Sequence, residues 1–309
     1  MSSQPNRFRR RHAVALVLAV VVLLGVGAVA VDAFGVREKV EGAIRRVELL
    51  VDPPPDRVIA AAVRVTPEPE ELPDQVLTPR PTAAPSLVAG ATPPPTPSAT
   101  PQPQRVKVDV SILKKPARWF ITELDKEWCA VAASQMVIAI HGKGDLSESF
   151  QRELAGRIDE WESRRDSRNG GWGPSAMVEA LEAYGVTGYE VRAYETRASA
   201  LKDAAKAIST HHAPVILLAW RGAHAWVMTG YRADADPLVF RKVTVSGAYI
   251  LDPWYPRNSS IWGQSDPPGA YQNAAEMRRN FLPWKRPEGR YPDRDGLFLA
   301  VVPTQALER

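Results

Sequence analysis

The sequence predicts an α+β fold for the C-terminal part of the chain, with helices packed against a mostly antiparallel sheet. Two observations carry this prediction. The run from Cys129 to Ile140 has helical periodicity and is apolar on nearly every side, so this helix should be buried. From Ala213 onward the pattern changes to short runs rich in Val, Ile and Leu, which are typical of buried strands. Helices followed by strands, rather than alternating with them, are the order expected of this class.

End signals place the other elements. Gly142 should end the first helix, and Pro174 should open another one at its first turn. Three further helices are predicted, over Leu146–Arg165, Pro174–Tyr184 and Leu201–Ser209. Four strands are predicted, over Ala213–Trp220, His224–Tyr231, Lys242–Leu251 and Asp295–Val302.

Composition divides the chain. More than half of its 28 prolines lie between Pro53 and Pro103, whereas all nine tryptophans follow that stretch. A segment so poor in large apolar residues cannot bury a core, and its prolines favour an extended chain. The predicted organisation is a basic cytoplasmic tail (1–12), a transmembrane anchor (13–34), a juxtamembrane segment with a Pro-rich disordered stalk (35–105), the globular domain (106–303) and a short tail (304–309).

The anchor prediction rests on an uncharged apolar run, Ala13 to Val31, that follows the basic cluster Arg7 to Arg11. A helix of this length can just cross a bilayer core of ~30 Å. The preceding arginines favour a cytoplasmic N-terminus and an extracytoplasmic domain at the cell membrane. The alternative is a secreted protein whose signal peptide is cleaved after Ala28-Val-Ala30. The anchor is favoured because the run exceeds the ~7–15 residues of a signal-peptide core.

Composition and motifs also exclude several kinds of partner. The formal net charge is only +4 and the basic residues are dispersed, so no nucleic-acid partner is predicted. The chain carries no CxxC, HExxH or phosphate-loop motif, and neither a cofactor nor a metal is predicted. The single cysteine, Cys129, excludes an intrachain disulfide and is either a small buried residue or a reactive thiol.

A reactive thiol needs a base, a group that orients the base, and donors for an oxyanion. Cys129 lies in the first turn of its helix, where the positive end of the dipole favours a thiolate. Among the five histidines, His224 at the start of an apolar strand is the best candidate base. Asp252 ends the next strand, and it could orient His224 if the two strands are antiparallel neighbours. The alternatives are a structural histidine and a turn-capping Asp before proline.

Four blocks in this order resemble the bacteriocin-processing (double-glycine leader) cysteine peptidases and their papain-like relatives. They are Glu123 to Gly142, Gly173 to Gly185, Pro214 to Tyr231, and Tyr249-Ile-Leu-Asp-Pro-Trp254. The resemblance covers most of residues 107–303. It implies a papain-like fold, a peptide or protein substrate, Cys129 as nucleophile, His224 as general base and Asp252 as the residue that orients His224.

The chain departs from that family at two positions. Glu123 stands where the family has its oxyanion-hole Gln, and Ala130 replaces the Gly that follows the nucleophile. An ionised carboxylate at position 123 would repel an oxyanion, and it could donate a hydrogen bond only if its pKa were strongly raised. Asp125 and Glu127 add further negative charge near the thiol.

Three tryptophans flank the predicted triad in sequence. Trp128, Trp226 and Trp254 are candidates for the walls of a substrate cleft, and a packed aromatic core is the alternative. The leading functional hypothesis is a membrane-anchored cysteine peptidase-like hydrolase that cleaves peptide or isopeptide bonds. The alternatives are a catalytically impaired relative that serves as a surface binding module, which Glu123 favours, and a transglutaminase-like acyl transferase with the same triad.

Overall fold

In the computed structural model, the described part of the chain comprises residues 47, 61–67, 74, 103–163, 166, 172–285 and 291–306. The chain divides into two units, Met1–Pro55 and Asp56–Arg309, and only residue 47 of the first is described. The predicted tail and anchor, residues 1–34, and most of the predicted stalk lie outside the described residues. Within the described ranges, no helix combines the length and the apolar character that crossing a membrane requires.

Six α-helices are described in the second unit: α1 Cys129–Ile140, α2 Glu148–Gly156, α3 Ile158–Trp161, α4 Pro174–Ala183, α5 Arg197–His211 and α6 Ala274–Asn280. Ten strands are described: β1 Val63–Val65, β2 Val108–Ser111, β3 Tyr189–Tyr194, β4 Val215–Ala219, β5 His224–Ala233, β6 Val245–Leu251, β7 Asn258–Ser259, β8 Gly263–Gln264, β9 Ala270–Asn273 and β10 Phe298–Pro303. Pro116–Trp119 and Trp220–Gly222 form 3₁₀ turns.

Eight of these strands form one sheet in the order β1-β3-β10-β4-β5-β6-β9, with β2 pairing to the second half of β5. Strand β1 runs parallel to β3, and the other pairs are antiparallel. This confirms the predicted α+β class with a mostly antiparallel sheet. Strands β7 and β8 form a separate short hairpin near the end of β6.

Helices cover both faces of the sheet. Alternate residues of a strand point to opposite faces, so Ala225 and Val227 of β5 join one core cluster while Trp226 and Met228 join the other. The first cluster packs against α1, α2 and α4, and the second against α5 and α6. Helix α1 is therefore enclosed: every residue from Ala130 to Ile140 is buried. Gly142 ends it at φ 68°, a conformation that costs glycine little.

The observed elements differ from the predicted ones in several places. The helix predicted over Leu146–Arg165 is interrupted at Arg157, directly after Gly156, a residue that weakens a helix by about 1 kcal/mol relative to Ala. The break allows Trp161 to be buried edge-to-face against Trp172, with ring centroids 5.1 Å apart. Strands β2, β3 and β9 and helix α6 were not predicted, because they are short or interrupted by charges. Strand β1 falls within the predicted stalk, yet it pairs with β3.

Candidate active site

Cys129 is the first residue of α1 and the least buried one, because the apolar run that follows holds the rest of the helix in the core. Trp128 precedes it as the N-cap residue and offers no side-chain cap. The first amide groups of a helix have no acceptor within the helix, so their N–H groups are available near the thiol. The local sequence thus places a partly exposed sulfur at a rigid, electropositive helix end.

His224 and Asp252 meet because β5 and β6 are antiparallel neighbours, with Val227 opposite Leu251. His224 begins β5, Asp252 follows the last residue of β6, and both are buried. His224 Nε2 donates to Asp252 Oδ1 over 2.6 Å. The same oxygen accepts the backbone N–H of Trp254 at 2.9 Å, which holds the carboxylate in place. Asp252 therefore caps a turn and binds the imidazole at once.

The imidazole is oriented with its other nitrogen toward the thiol. Because Nε2 is occupied by Asp252, Nδ1 is the atom left to accept a proton from Cys129. One ligand atom each of Cys129, His224 and Glu123 lie within 4.8 Å of one another. Burial alone would lower the pKa of His224, but the charge of Asp252, the hydrogen bond to it and the neighbouring Cys129 raise that pKa well above its ordinary value. The arrangement favours a protonated imidazole beside the sulfur.

Glu123 is fully buried beside these two residues. Its backbone N–H donates to Pro253 O over 3.0 Å, next to Asp252. Arg257 donates to Glu123 twice, to Oε1 at 3.2 Å and to the backbone oxygen at 2.9 Å. Oε2 has no hydrogen-bond partner among the described residues. Burial raises the pKa of the Glu123 carboxyl to about 7, although the positive charges of His224 and Arg257 oppose that shift.

Two buried glutamines hold the segment that carries Glu123. Gln151 of α2 accepts a hydrogen bond from the backbone N–H of Leu124 at 2.6 Å and donates one to Thr122 O at 3.2 Å. It therefore binds the residues on both sides of Glu123. Gln151 also donates to Gln135 of α1 at 2.9 Å. The chain of contacts links the nucleophile helix to the segment opposite it. The distance between Cys129 and Glu123 is therefore set by buried hydrogen bonds, which are costly to leave unmade.

An aromatic wall, Trp220, Trp254 and Trp262, stands beside the imidazole. Trp220 stacks on His224 with centroids 4.1 Å apart and planes 17° apart, and Trp262 stacks on Trp220 at 5.7 Å and 5°. Trp254 meets Trp220 edge-on at 6.5 Å. Trp220 and Arg221 have φ values of 50° and 63°, which are costly for residues with side chains. This strained turn presents the Trp220 ring to His224.

One prediction about the surroundings of the triad is wrong. Trp226 cannot wall a cleft, because it is only 2% exposed and packs in the core under α5. It alternates with Ala225 and Val227, which pack toward α1, and so lies on the face of the sheet that α5 and α6 cover. Gly222 packs closely against Trp284, and a Cβ at this position would overlap the ring of Trp284. Trp128 and Trp254 are half-buried beside the site, where a substrate could contact them.

Sequence reasoning missed Arg257 and Trp220. A buried Glu123 demands a cation, but the sequence does not indicate which of many dispersed arginines supplies it, 134 residues along the chain. Trp220 stands at the end of a predicted strand, just before Arg221-Gly222 and four residues before the predicted base. This position in the sequence was the one indication that Trp220 could contact His224. Asp125 and Glu127 were expected to add negative charge near the thiol. Both are exposed to solvent, which screens the effect of their charges on Cys129.

No curated protein matches the chain. Among solved structures, a double glycine motif protease from an AMS/PCAT transporter, crystallised in complex with its leader peptide, is 19% identical; the alignment covers 60% of this chain and 91% of that one, with a TM-score of 0.33. The model of the Peptidase_C39-like family matches residues 107–279, which is more than half of the chain. The family resemblance predicted from the sequence is thus confirmed: the chain belongs to the Peptidase_C39-like family of cysteine peptidase-like proteins.

Proposed function

We propose that the protein is a cysteine peptidase-like hydrolase that cleaves peptide or isopeptide bonds with Cys129 as nucleophile, His224 as general base and Asp252 as the residue that orients it. The observation that carries the proposal is the hydrogen bond from His224 Nε2 to Asp252 Oδ1, which leaves Nδ1 beside a thiol at a helix start. Membership of a peptidase family supports the same reaction class.

The geometry supports a two-step acyl transfer. His224 Nδ1 takes the proton of the Cys129 thiol, and the thiolate attacks the carbonyl carbon of the substrate. The imidazolium then protonates the departing amine as the C–N bond breaks, which leaves a thioester on Cys129. Water attacks the thioester while His224 takes its proton, and the carboxylic acid leaves as the thiol is reprotonated. Asp252 stabilises the imidazolium throughout and accepts no proton.

The substrate would enter along the aromatic wall. Trp254 and Trp262 are partly exposed, and Trp220 lies between them and His224. Flat indole surfaces bind apolar side chains and peptide planes with little loss of side-chain entropy. A peptide or protein substrate fits this surface, and no cofactor is required by the proposed chemistry.

The place of action is proposed to be the outer face of the cell membrane. The support is the sequence alone: the basic cluster before residue 13 and the uncharged run after it. Extraction of a cell envelope with alkaline carbonate tests this, because an anchored chain stays with the membrane. A chain that appears in the medium and begins after Ala30 would establish the secreted alternative.

A binding module without catalysis is the second candidate, and the buried carboxyl of Glu123 favours it. A carboxylate facing the reaction centre would repel the oxyanion that hydrolysis must form. Replacing Glu123 with Gln discriminates between the two candidates. An inactive natural protein that gains hydrolysis on this change would be a binding module. An amine acceptor in the assay separates hydrolysis from acyl transfer, because transfer would join the amine to the released acyl group.

Labelling of the thiol by iodoacetamide tests the dyad. We expect rapid alkylation of Cys129 near pH 7, located by mass spectrometry, and slow alkylation in His224→Ala, because the imidazole stabilises the thiolate. His211→Ala is the matched control, since His211 lies at the end of α5 and away from the site. Equal alkylation rates in all three proteins would show that His224 does not activate the thiol.

A further inference from the structure

The buried oxygen Oε2 of Glu123 is an unexplained group next to the nucleophile and the base. Its partner atom Oε1 faces Arg257, whereas Oε2 has no hydrogen-bond partner among the described residues, and the whole side chain is enclosed. An unpaired buried oxygen is costly, and few are retained without a role. One carboxylate oxygen of Glu123 lies within 4.8 Å of both Cys129 Sγ and an imidazole nitrogen of His224. The oxyanion is the oxygen on the tetrahedral carbon that is bonded to Sγ, so this carboxylate oxygen lies near the place where negative charge develops.

The charges around Glu123 come from four segments. They are Cys129 at the start of α1, His224 at the start of β5, Asp252 and Arg257 after β6, and Asp125 on the exposed side of its own segment. With the imidazolium and Arg257 positive and Asp252 negative, the buried site balances when it holds one more negative charge. The thiolate of the nucleophile supplies that charge, so an ionised Glu123 would be a second buried anion and is disfavoured.

We propose that Glu123, protonated on Oε2, donates a hydrogen bond to the oxyanion of the tetrahedral intermediate, so that hydrolysis requires this carboxyl to be neutral. The inference rests on the proposed function and deepens it. The backbone N–H of Cys129, free in the first helical turn, is the second donor. Arg257 is a positioning residue, because it holds Oε1 and leaves Oε2 without a hydrogen-bond partner among the described residues. Glu123 keeps its proton when the intermediate collapses, so no net transfer passes through it.

Two small probes separate this donor from the nucleophile. Acylation of Cys129 by 4-nitrophenyl acetate passes through an oxyanion, whereas alkylation by iodoacetamide displaces iodide and forms none. Both rates depend on the fraction of Cys129 present as thiolate, so this fraction cancels in the ratio of the acylation rate to the alkylation rate. The ratio therefore reports how well the oxyanion is stabilised. The ratio is measured from pH 5 to 9 on the full chain and on Glu123→Gln, with Cys129→Ala as the background. Glu127→Gln is the matched control, because it makes the same change at an exposed position.

We expect the ratio in the natural protein to fall by about tenfold per pH unit above about pH 7, as the carboxyl ionises. Glu127→Gln should show the same fall. Glu123→Gln should keep a ratio independent of pH, because an amide donates at every pH. Glu123→Ala, which has no donor, should show a ratio lowered ~10²–10³-fold at pH 5.5.

Three results would overturn the inference. If the ratio in the natural protein does not change with pH, Glu123 is not the donor, yet the proposed hydrolase stands; this result does not depend on any variant folding. If Glu123→Gln is acylated at pH 5.5 and the natural protein is not, the carboxyl blocks the reaction and the protein is a binding module. If alkylation proceeds but neither protein is acylated at any pH, the proposed function fails as well.

Discussion

Replacement of Glu123 by Gln should make the folded protein more stable at alkaline pH while leaving its stability at acid pH nearly unchanged. Glu123 is fully buried, and burial raises the pKa of its carboxyl from 4.5 to about 7. At ~1.4 kcal/mol per pH unit, that difference corresponds to about 3 kcal/mol lost when the carboxyl must ionise inside the folded protein. Gln has nearly the same shape and carries no charge, and its amide oxygen can still accept from Arg257.

The direction in which stability changes with pH follows from proton binding. Between pH 4.5 and about 7 the folded protein keeps a proton on Glu123 that the unfolded chain has already released. The free energy of unfolding therefore falls as pH rises through this window, and the contribution is fully present only below the unfolded pKa. Relative to the natural protein, Glu123→Gln should gain about 2–3 kcal/mol between pH 5 and 8.5.

Urea unfolding followed by tryptophan fluorescence at several pH values measures this difference, with reductant present to keep the single thiol reduced. Glu127→Gln is again the control, and its difference from the natural protein should stay small at every pH because the residue is exposed. A stability difference between Glu123→Gln and the natural protein that does not change with pH would refute the reasoning. The reasoning would also be refuted if the natural protein had a higher free energy of unfolding than the variant at pH 8.5, because Arg257 would then stabilise the ionised carboxyl.

Three other predictions concern the supports of the site. Arg294→Ala should lower the free energy of unfolding by about 3–5 kcal/mol, measured by thermal unfolding, because it removes the buried cation that lies 2.6 Å from Asp166. A loss of less than about 1 kcal/mol would contradict this. Trp220→Leu should lower the acylation rate of Cys129 roughly 2–10-fold, the value of one aromatic stack, with little change in melting temperature. Gly222→Ala should destabilise the fold more than Gly142→Ala: both have positive φ, but only the former would overlap an indole ring. Equal effects would exclude that overlap as the cause.

The nucleophile helix could be predicted to the residue because its signals are local. Small and apolar residues fill the segment from Cys129 to Ile140, and Gly142 allows the left-handed turn that ends it. Strands β4, β5 and β6 were predicted to within a few residues for the same reason, since long apolar runs admit few other structures. Strand β3 was missed because Glu190 and Arg192 interrupt its apolar pattern. Its charges are accommodated by ion pairs with each other and with Asp203.

The predicted members of the site were brought together by a pairing that the sequence suggested but could not establish. The order of Cys129, His224 and Asp252 was apparent, and the contact required β5 and β6 to be antiparallel neighbours. Trp226 shows the limit of such reasoning. Its place close to His224 in the sequence made it a candidate for the wall of a cleft, whereas the face on which it lies is covered by α5. Spacing assigns a face to a residue, but only the packing of other elements decides whether solvent reaches that face.

The sequence by itself determined the class of fold, the family and the placement of a thiol at the start of a buried helix, because periodicity, breakers and motif order are properties of neighbouring residues. It also identified Glu123 as the departure from the family. Only the tertiary structure decided what that departure means. Arg257 holds one oxygen of Glu123 from far along the chain, the other oxygen is buried with no partner among the described residues, and Trp220 covers His224. Such contacts depend on long-range packing and desolvation, for which no local pattern exists.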